Sequence, residues 1–239
     1  MNQILVSEKL YVTPDMKRKK IFYKFEFFLS IFLVCLLSTY GIYAEYDRNK
    51  SEQVSKEILA NLDIEGKEEK LEQVIVVLNS AFSEEIETNI VDEPEEEVPP
   101  IQITTASDGT EYYTIATINI PKINVNYPIL SETTTELLKI SPCKFWGADP
   151  NQVGNFCIVG HNYRNSKFFS KVPSLENGDI IEITDLSGKT LQYSIYDKFV
   201  IEPEDTACTS QLTNGRKEIT VITCTDDGKQ RVVVKAKEV

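Results

Sequence analysis

Residues Phe27 to Ala44 read FFLSIFLVCLLSTYGIYA, an apolar run without a single charge. About 20 such residues in a helix cross the hydrocarbon core of a bilayer, and the run reaches back to Ile21 if Lys24 and Glu26 extend their charges to the interface. Directly before it stands KRKK, Lys17 to Lys20. Basic residues tend to stay on the cytoplasmic side, so residues 1–20 are expected inside, 21–44 in the membrane, and the rest outside. The alternative is a cleaved signal peptide. The run is longer than a signal core and no small-x-small site follows it, which favours an anchor that stays. A chain with such a segment is not one soluble globule, and its chemistry has to be sought beyond Ala44.

The segment Glu45 to Pro100 carries 17 acidic and 5 basic residues, a net charge of −12 that equals that of the whole chain. The acidity therefore belongs to this stretch, which reads as an extracellular stalk. Val54, Ile58 and Leu62, then Leu71, Val74, Ile75 and Leu78, have helical spacing. The closing VDEPEEEVPP, with like charges and three prolines, is expected to stay extended. A solvated spacer is the simplest reading.

Residues 101–239 hold 17 acidic and 14 basic side chains, a balance that gives no sign of nucleic-acid binding. About 139 residues suffice for one hydrophobic core. Alternating or β-branched segments recur: EYYTIATINI, INVNYPIL, NFCIVG, DIIEIT, TLQYSIYDKFVI, EITVIT and RVVVKAK, divided by Pro, Gly, Asn and Asp. They predict a mostly β fold, a barrel or sandwich. One short helix is expected in ETTTELLKI, capped by a threonine and burying Leu137, Leu138 and Ile140. No repeat, glycine-rich phosphate loop or C-x₂-C pair occurs.

Three residues of this domain have chemistry to offer. His161, the chain's sole histidine, follows an apolar run and a glycine in NFCIVGHN. Cys224 ends EITVITC and precedes the turn TDDGKQ, and Arg231 opens the next run. Side chains where strands leave a sheet face solvent or a cleft. If TDDGKQ closes a hairpin, Cys224 and Arg231 lie side by side. Attack on a carbonyl needs a nucleophile, a proton donor for the leaving amine, and a donor for the developing oxyanion. Cysteine, histidine and arginine supply these. Taken singly, each has a plainer reading: a surface histidine, a small buried thiol, and an arginine paired with Asp226 or Asp227.

The pattern VGHN with His161, TVITC from Thr220 to Cys224, and RVVVKAK from Arg231 resembles the sortases, membrane-anchored cysteine transpeptidases of Gram-positive bacteria. INIPKINVNYPIL and LENGDIIEI are similar to two further sortase strands, and the resemblance runs from Tyr112 to Val239. Two departures are Val221, where leucine is usual, and SPCKFWGADP, where many relatives place a second histidine near Cys143. The resemblance implies a closed barrel of about eight strands with one or two short helices. It implies that Cys224 forms a thioester at the threonine of an LPxTG-like sorting signal, that His161 moves protons, that Arg231 holds the oxyanion and that Thr223 contacts the signal. The implied partners are surface proteins with a C-terminal sorting signal and an amine on a cell-wall precursor or pilin. No cofactor and no metal are implied, although Glu202, Glu204 and Asp205 form an acidic loop of the kind that binds calcium in some relatives.

The order of histidine before cysteine argues against papain-like peptidases, and neither a caspase Q-A-C-x-G nor an L,D-transpeptidase S-H-G-C motif is present. From another class, a non-catalytic, membrane-tethered β-domain that binds wall or surface proteins is the alternative. Cys143, Cys157 and Cys208 are expected to be free, mostly buried thiols. About twenty residues separate Phe199 from Ile219, too few for the class B helical insertion, and no second hydrophobic segment follows Val239, which leaves a class A-like or D-like enzyme.

Overall fold

A computed structural model describes residues 14–62, 101–107 and 109–239 of the chain, without the side chain of Met16. The spacing at Leu71 to Leu78 and the VDEPEEEVPP segment lie outside the described residues. The chain divides into two compact units, residues 1–49 and 50–239.

In the first unit, helix α1 (Pro14–Asn61) begins and carries the apolar run, with Phe27, Phe32, Leu37 and Tyr43 all exposed. Among the described residues this is the one helix long and apolar enough to cross a membrane. An exposed apolar run of this length matches the thickness of a bilayer's hydrocarbon core.

Among the described residues, the second unit is built on nine strands: β1 (Gln102–Thr105), β2 (Glu111–Ile120), β3 (Val125–Leu130), β4 (Cys143–Gly147), β5 (Gly154–Val159), β6 (Ile180–Asp185), β7 (Thr190–Ile201), β8 (Lys217–Cys224) and β9 (Arg231–Glu238). Their order is β1-β2-β3-β4-β5-β8-β9-β7-β6, and β6 pairs back onto β2. Eight strands thus close a barrel, and β1 is an extra strand beside the first half of β2. Closure removes sheet edges. The expected closed barrel is what the chain forms, with a short helix α2 (Thr135–Ile140) capped by Thr134, whose hydroxyl accepts from the amide of Leu137 at 3.1 Å. Leu137, Leu138 and Ile140 pack from its partly buried face.

The barrel interior is filled by inward-facing residues such as Ile118, Ile129, Phe156, Ile158, Ile181, Val221 and Val234, all buried. Each such side chain contributes about 1.5–3 kcal/mol through removal from water. Two strands escaped the sequence pattern. β1 is four residues long, and β4 carries a bulge between Lys144 and Trp146 that breaks the alternation.

The acidic stretch does not start as a solvated spacer. Residues 50–61 of α1 belong to the barrel unit, where Val54 and Ile58 are buried against Ala106, Tyr112, Leu130 and Cys143. Ser55 shares a hydrogen bond with Ser141 at 3.2 Å, and Glu52 pairs with Lys167 at 3.0 Å.

Candidate active site

One strand pair brings the chemistry together. β5 and β8 run parallel, with Val159 beside Ile222, and the Gly160 amide extends the ladder by donating to the Ile222 carbonyl at 3.1 Å. Parallel neighbours end on the same side, so His161 and Cys224 emerge from the same end of the barrel. β8 and β9 are joined by the tight turn 225–230, in which the Thr225 amide donates to the Gln230 carbonyl at 3.0 Å. Cys224 and Arg231 are direct partners in that hairpin. The three residues singled out in the sequence therefore converge.

Alternation along β8 sorts its residues by face. Val221 faces the barrel core, and valine in place of leucine still fills it. Ile222 and Cys224 face outward, where Ile222, Val159 and Arg231 line a pocket of about 170 Å³ closed by Ile201, Pro203 and Cys208. Thr223 points the other way. It is 1% exposed, and its hydroxyl donates to the Gly160 carbonyl at 2.8 Å. Thr223 braces the two strand ends together, with its side chain on the face opposite Cys224.

Gly160 is glycine for a steric reason. A Cβ there would lie 2.6 Å from the Phe169 ring, which packs beneath the loop that follows His161. That loop is pinned by the Phe169 amide donating to the His161 carbonyl at 3.1 Å and by Phe168, which stacks on Tyr127 at 5.0 Å. The His161 ring lies 5.0 Å from that of Tyr163. Burial, with Lys139 adding to it, holds the imidazole pKa below its ordinary 6.5, so the ring is neutral at neutral pH and ready to accept a proton.

Arg231 does not pair with Asp226 or Asp227. Asp226 accepts from Asn162 at 3.0 Å, and Asp227 accepts from Thr225 and from the Lys229 amide within the turn. One guanidinium nitrogen donates instead to the carbonyls of Gln230 at 3.1 Å and Gly228 at 3.4 Å within the turn, and Arg231 lines the pocket.

The other barrel cysteines are free and buried. Cys143 and Cys157 lie on paired strands, but Cys143 stands opposite Val159 and Cys157 opposite Trp146. Desolvation pushes both thiols up to about 12, and Cys208 upward as well. Cys224 is the one half-exposed thiol in the barrel. Among the described residues no three His, Cys, Asp or Glu side chains gather as a metal site, the acidic loop at Glu202 to Asp205 included.

Sequence reasoning missed the braces. The Asn162 amide donates to the Cys224 carbonyl at 2.9 Å, tying the histidine loop to the cysteine strand. Asn155, fully buried, donates to the carbonyls of Cys208 and Ser210 at 3.0 and 3.1 Å, and so fixes the pocket's outer wall to β5. Adjacency to His161 was the only available signal for Asn162, and nothing marked Asn155.

Comparison with known proteins agrees with this architecture. The Sortase domain family model matches residues 118–239. Sortase A of Bacillus anthracis is 26% identical over 173 residues, covering 70% of this chain and 80% of that protein. The structure of a Clostridium perfringens sortase D5 transpeptidase aligns with a TM-score of 0.54 at 29% identity, covering 81% of this chain and 99% of that one.

Proposed function

Because this chain belongs to the sortase family, and sortases are cysteine transpeptidases, we propose that it cleaves an LPxTG-like sorting signal through Cys224 and passes the acyl group to an amine. The observation that carries this reading is the meeting of His161, Cys224 and Arg231 at one end of the barrel, through the β5–β8 pairing and the β8–β9 hairpin.

His161, neutral at neutral pH, takes the thiol proton as the Cys224 sulfur attacks the carbonyl carbon that follows the signal's threonine. A C–S bond forms and the carbonyl π electrons move onto oxygen, where the Arg231 fork stabilises them. As the oxyanion collapses, the C–N bond breaks and the imidazolium gives its proton to the leaving amine. The thioester keeps the acyl group reactive. An incoming amine attacks it, His161 takes that amine's proton, and the thiol is regenerated without an external energy source. A cell-wall precursor or a pilin lysine has the required amine. Thr223 supports the reaction by holding the two strand ends in register.

The helix bearing the apolar run acts as the anchor, with Lys17 to Lys20 in the cytoplasm and the barrel outside, where exported proteins carrying sorting signals meet the wall. Labelling of cysteines introduced on either side of the run, in intact cells, tests this orientation; an inaccessible barrel would reverse it.

The enzyme reading is tested with the full chain in detergent and a panel of LPxTG-like peptides, read by mass spectrometry. An acyl adduct on Cys224 and cleavage after threonine are expected, both lost in Cys224→Ala. Peptides that stay intact, or cleavage that persists in Cys224→Ala, would return the protein to the alternative of a non-catalytic tethered β-domain.

A further inference from the structure

Beside the Arg231 pocket a second cleft of about 700 Å³ opens over β4, edged by Ser131, Glu132 and Thr133. Phe145 lines both, so the two are neighbours on the barrel surface. Phe145 and Trp146 are neighbours in sequence and would face opposite ways in a regular strand. The bulge between Lys144 and Trp146 turns both aromatic side chains into the cleft, where Trp146 is 62% exposed.

The cleft is built rather than collapsed. Gln211 fills the space beside Gly147, where a Cβ would lie 2.2 Å from its amide nitrogen. Its oxygen accepts from the Asn155 amide at 3.0 Å, and its nitrogen donates to the Asn155 and Thr209 carbonyls, each at 2.9 Å. Lys144 is engaged by Asp149, which leaves Glu132 to set the sign of the charge at the rim.

We infer that this cleft is an extended subsite for the residues that precede the sorting signal on the substrate polypeptide, favouring an aromatic or aliphatic side chain on Trp146 and a basic one near Glu132. The inference rests on the transpeptidase reading of Cys224, His161 and Arg231. His161 serves the leaving amine and later the acceptor amine, so both occupy its side of the sulfur. The pocket is lined by Arg231, the strand partner of Cys224, and by neither His161 nor Cys224 itself, which assigns it to the acyl half. A chain followed past that pocket, at about 3.3 Å per residue, runs over Phe145 into the cleft. The acceptor amine has to approach from the opposite side and is excluded as occupant.

Trp146 is the only tryptophan in the chain, so its emission reports the cleft directly. Full-length Cys224→Ala in detergent is titrated with a signal peptide, with the same peptide preceded by four residues including Lys and Phe, with a version preceded by Glu and Gly, and with triglycine. The Lys–Phe peptide is expected to shift the emission and to bind about three- to tenfold tighter than the short one, as an added aromatic contact does. In the otherwise native chain, the ratio of kcat/KM for that peptide over the short one is expected to be of the same size and to fall toward one in Trp146→Ala. Equal binding of all peptides, or an emission shift with triglycine alone, overturns the inference. If neither peptide acylates Cys224 in the native chain, the transpeptidase reading fails and takes the subsite with it.

Discussion

The side-chain amide of Asn162 spans the gap between the histidine loop and the cysteine strand, donating to the Cys224 carbonyl at 2.9 Å and to the Asp226 carboxylate at 3.0 Å. The His161 loop and the Cys224 strand are thereby held by one residue through its bond to the Cys224 carbonyl. Asn162→Ala is expected to lower kcat about five- to tenfold with a small change in KM, the loss of about 1 kcal/mol of positioning hydrogen bonds. Asn162→Asp, which sets a second carboxylate against Asp226, is expected to be worse, most clearly at low salt. Wild-type kcat in both variants would show that the strand pairing alone places the two residues.

Arg231→Lys keeps the charge and loses the planar fork. Turnover is expected to fall by roughly 10² to 10³, the usual effect of one lost oxyanion donor. Steady-state kinetics with a cleaved peptide decide it; near-normal turnover would mean that Arg231 acts through charge alone.

His161 is the only imidazole in the chain, so its titration can be followed without assignment. Its NMR signals are expected to titrate below pH 6.5, since burial disfavours the charged ring. Between 6.5 and that lower value the unfolded chain binds more protons than the folded one, so stability falls as pH drops through this window. His161→Gln should remove that part of the pH dependence in denaturant titrations. An unchanged profile would trace the effect to carboxylates.

Thiol reactivity should separate sharply. With Cys35 replaced by serine, iodoacetamide at neutral pH is expected to label the native chain once, at Cys224, because Cys143 and Cys157 are buried and held near pKa 12. Peptide mapping that finds label on either buried thiol would show that the barrel opens readily.

Ile58, fully buried on the face of α1 that meets Tyr112 and Leu130, ties residues far from the barrel in sequence to its surface. Ile58→Ala is expected to cost about 2–5 kcal/mol. A fragment starting at Ile101 should melt below one starting at Lys50. Equal melting temperatures would make this packing incidental.

The sequence made legible what repeats or alternates. Seven strands showed as β-branched runs between turn residues, and His161, Cys224 and Arg231 were visible because each stands where such a run begins or ends. β4 was hidden because its bulge breaks the period and its five residues include a lysine and a glycine. The helical spacing at Val54 and Ile58 was plain, yet its partners, Tyr112, Leu130 and Cys143, are remote in sequence and adjacent only in space. Asn155, Asn162 and Gln211 are polar residues whose value lies in the carbonyls and amides they reach, which no local pattern records. Thr223 was noticed for its position beside the cysteine and proved to face the opposite side of the sheet.

The parallel pairing of β5 with β8 also sets when His161 and Cys224 come to the same end of the barrel. Its register sets Val159 beside Ile222, 63 residues on, and the Asn162 side chain reaches the Cys224 carbonyl across a gap of 62, with the β6–β7 hairpin between them in sequence. Such non-local pairings are late events in folding. Until that pairing has formed, Cys224 has no His161 at its end of the barrel. The site is thus a report of tertiary structure, since the β8–β9 hairpin holds only Cys224 and Arg231 and no local segment of the chain contains all three residues.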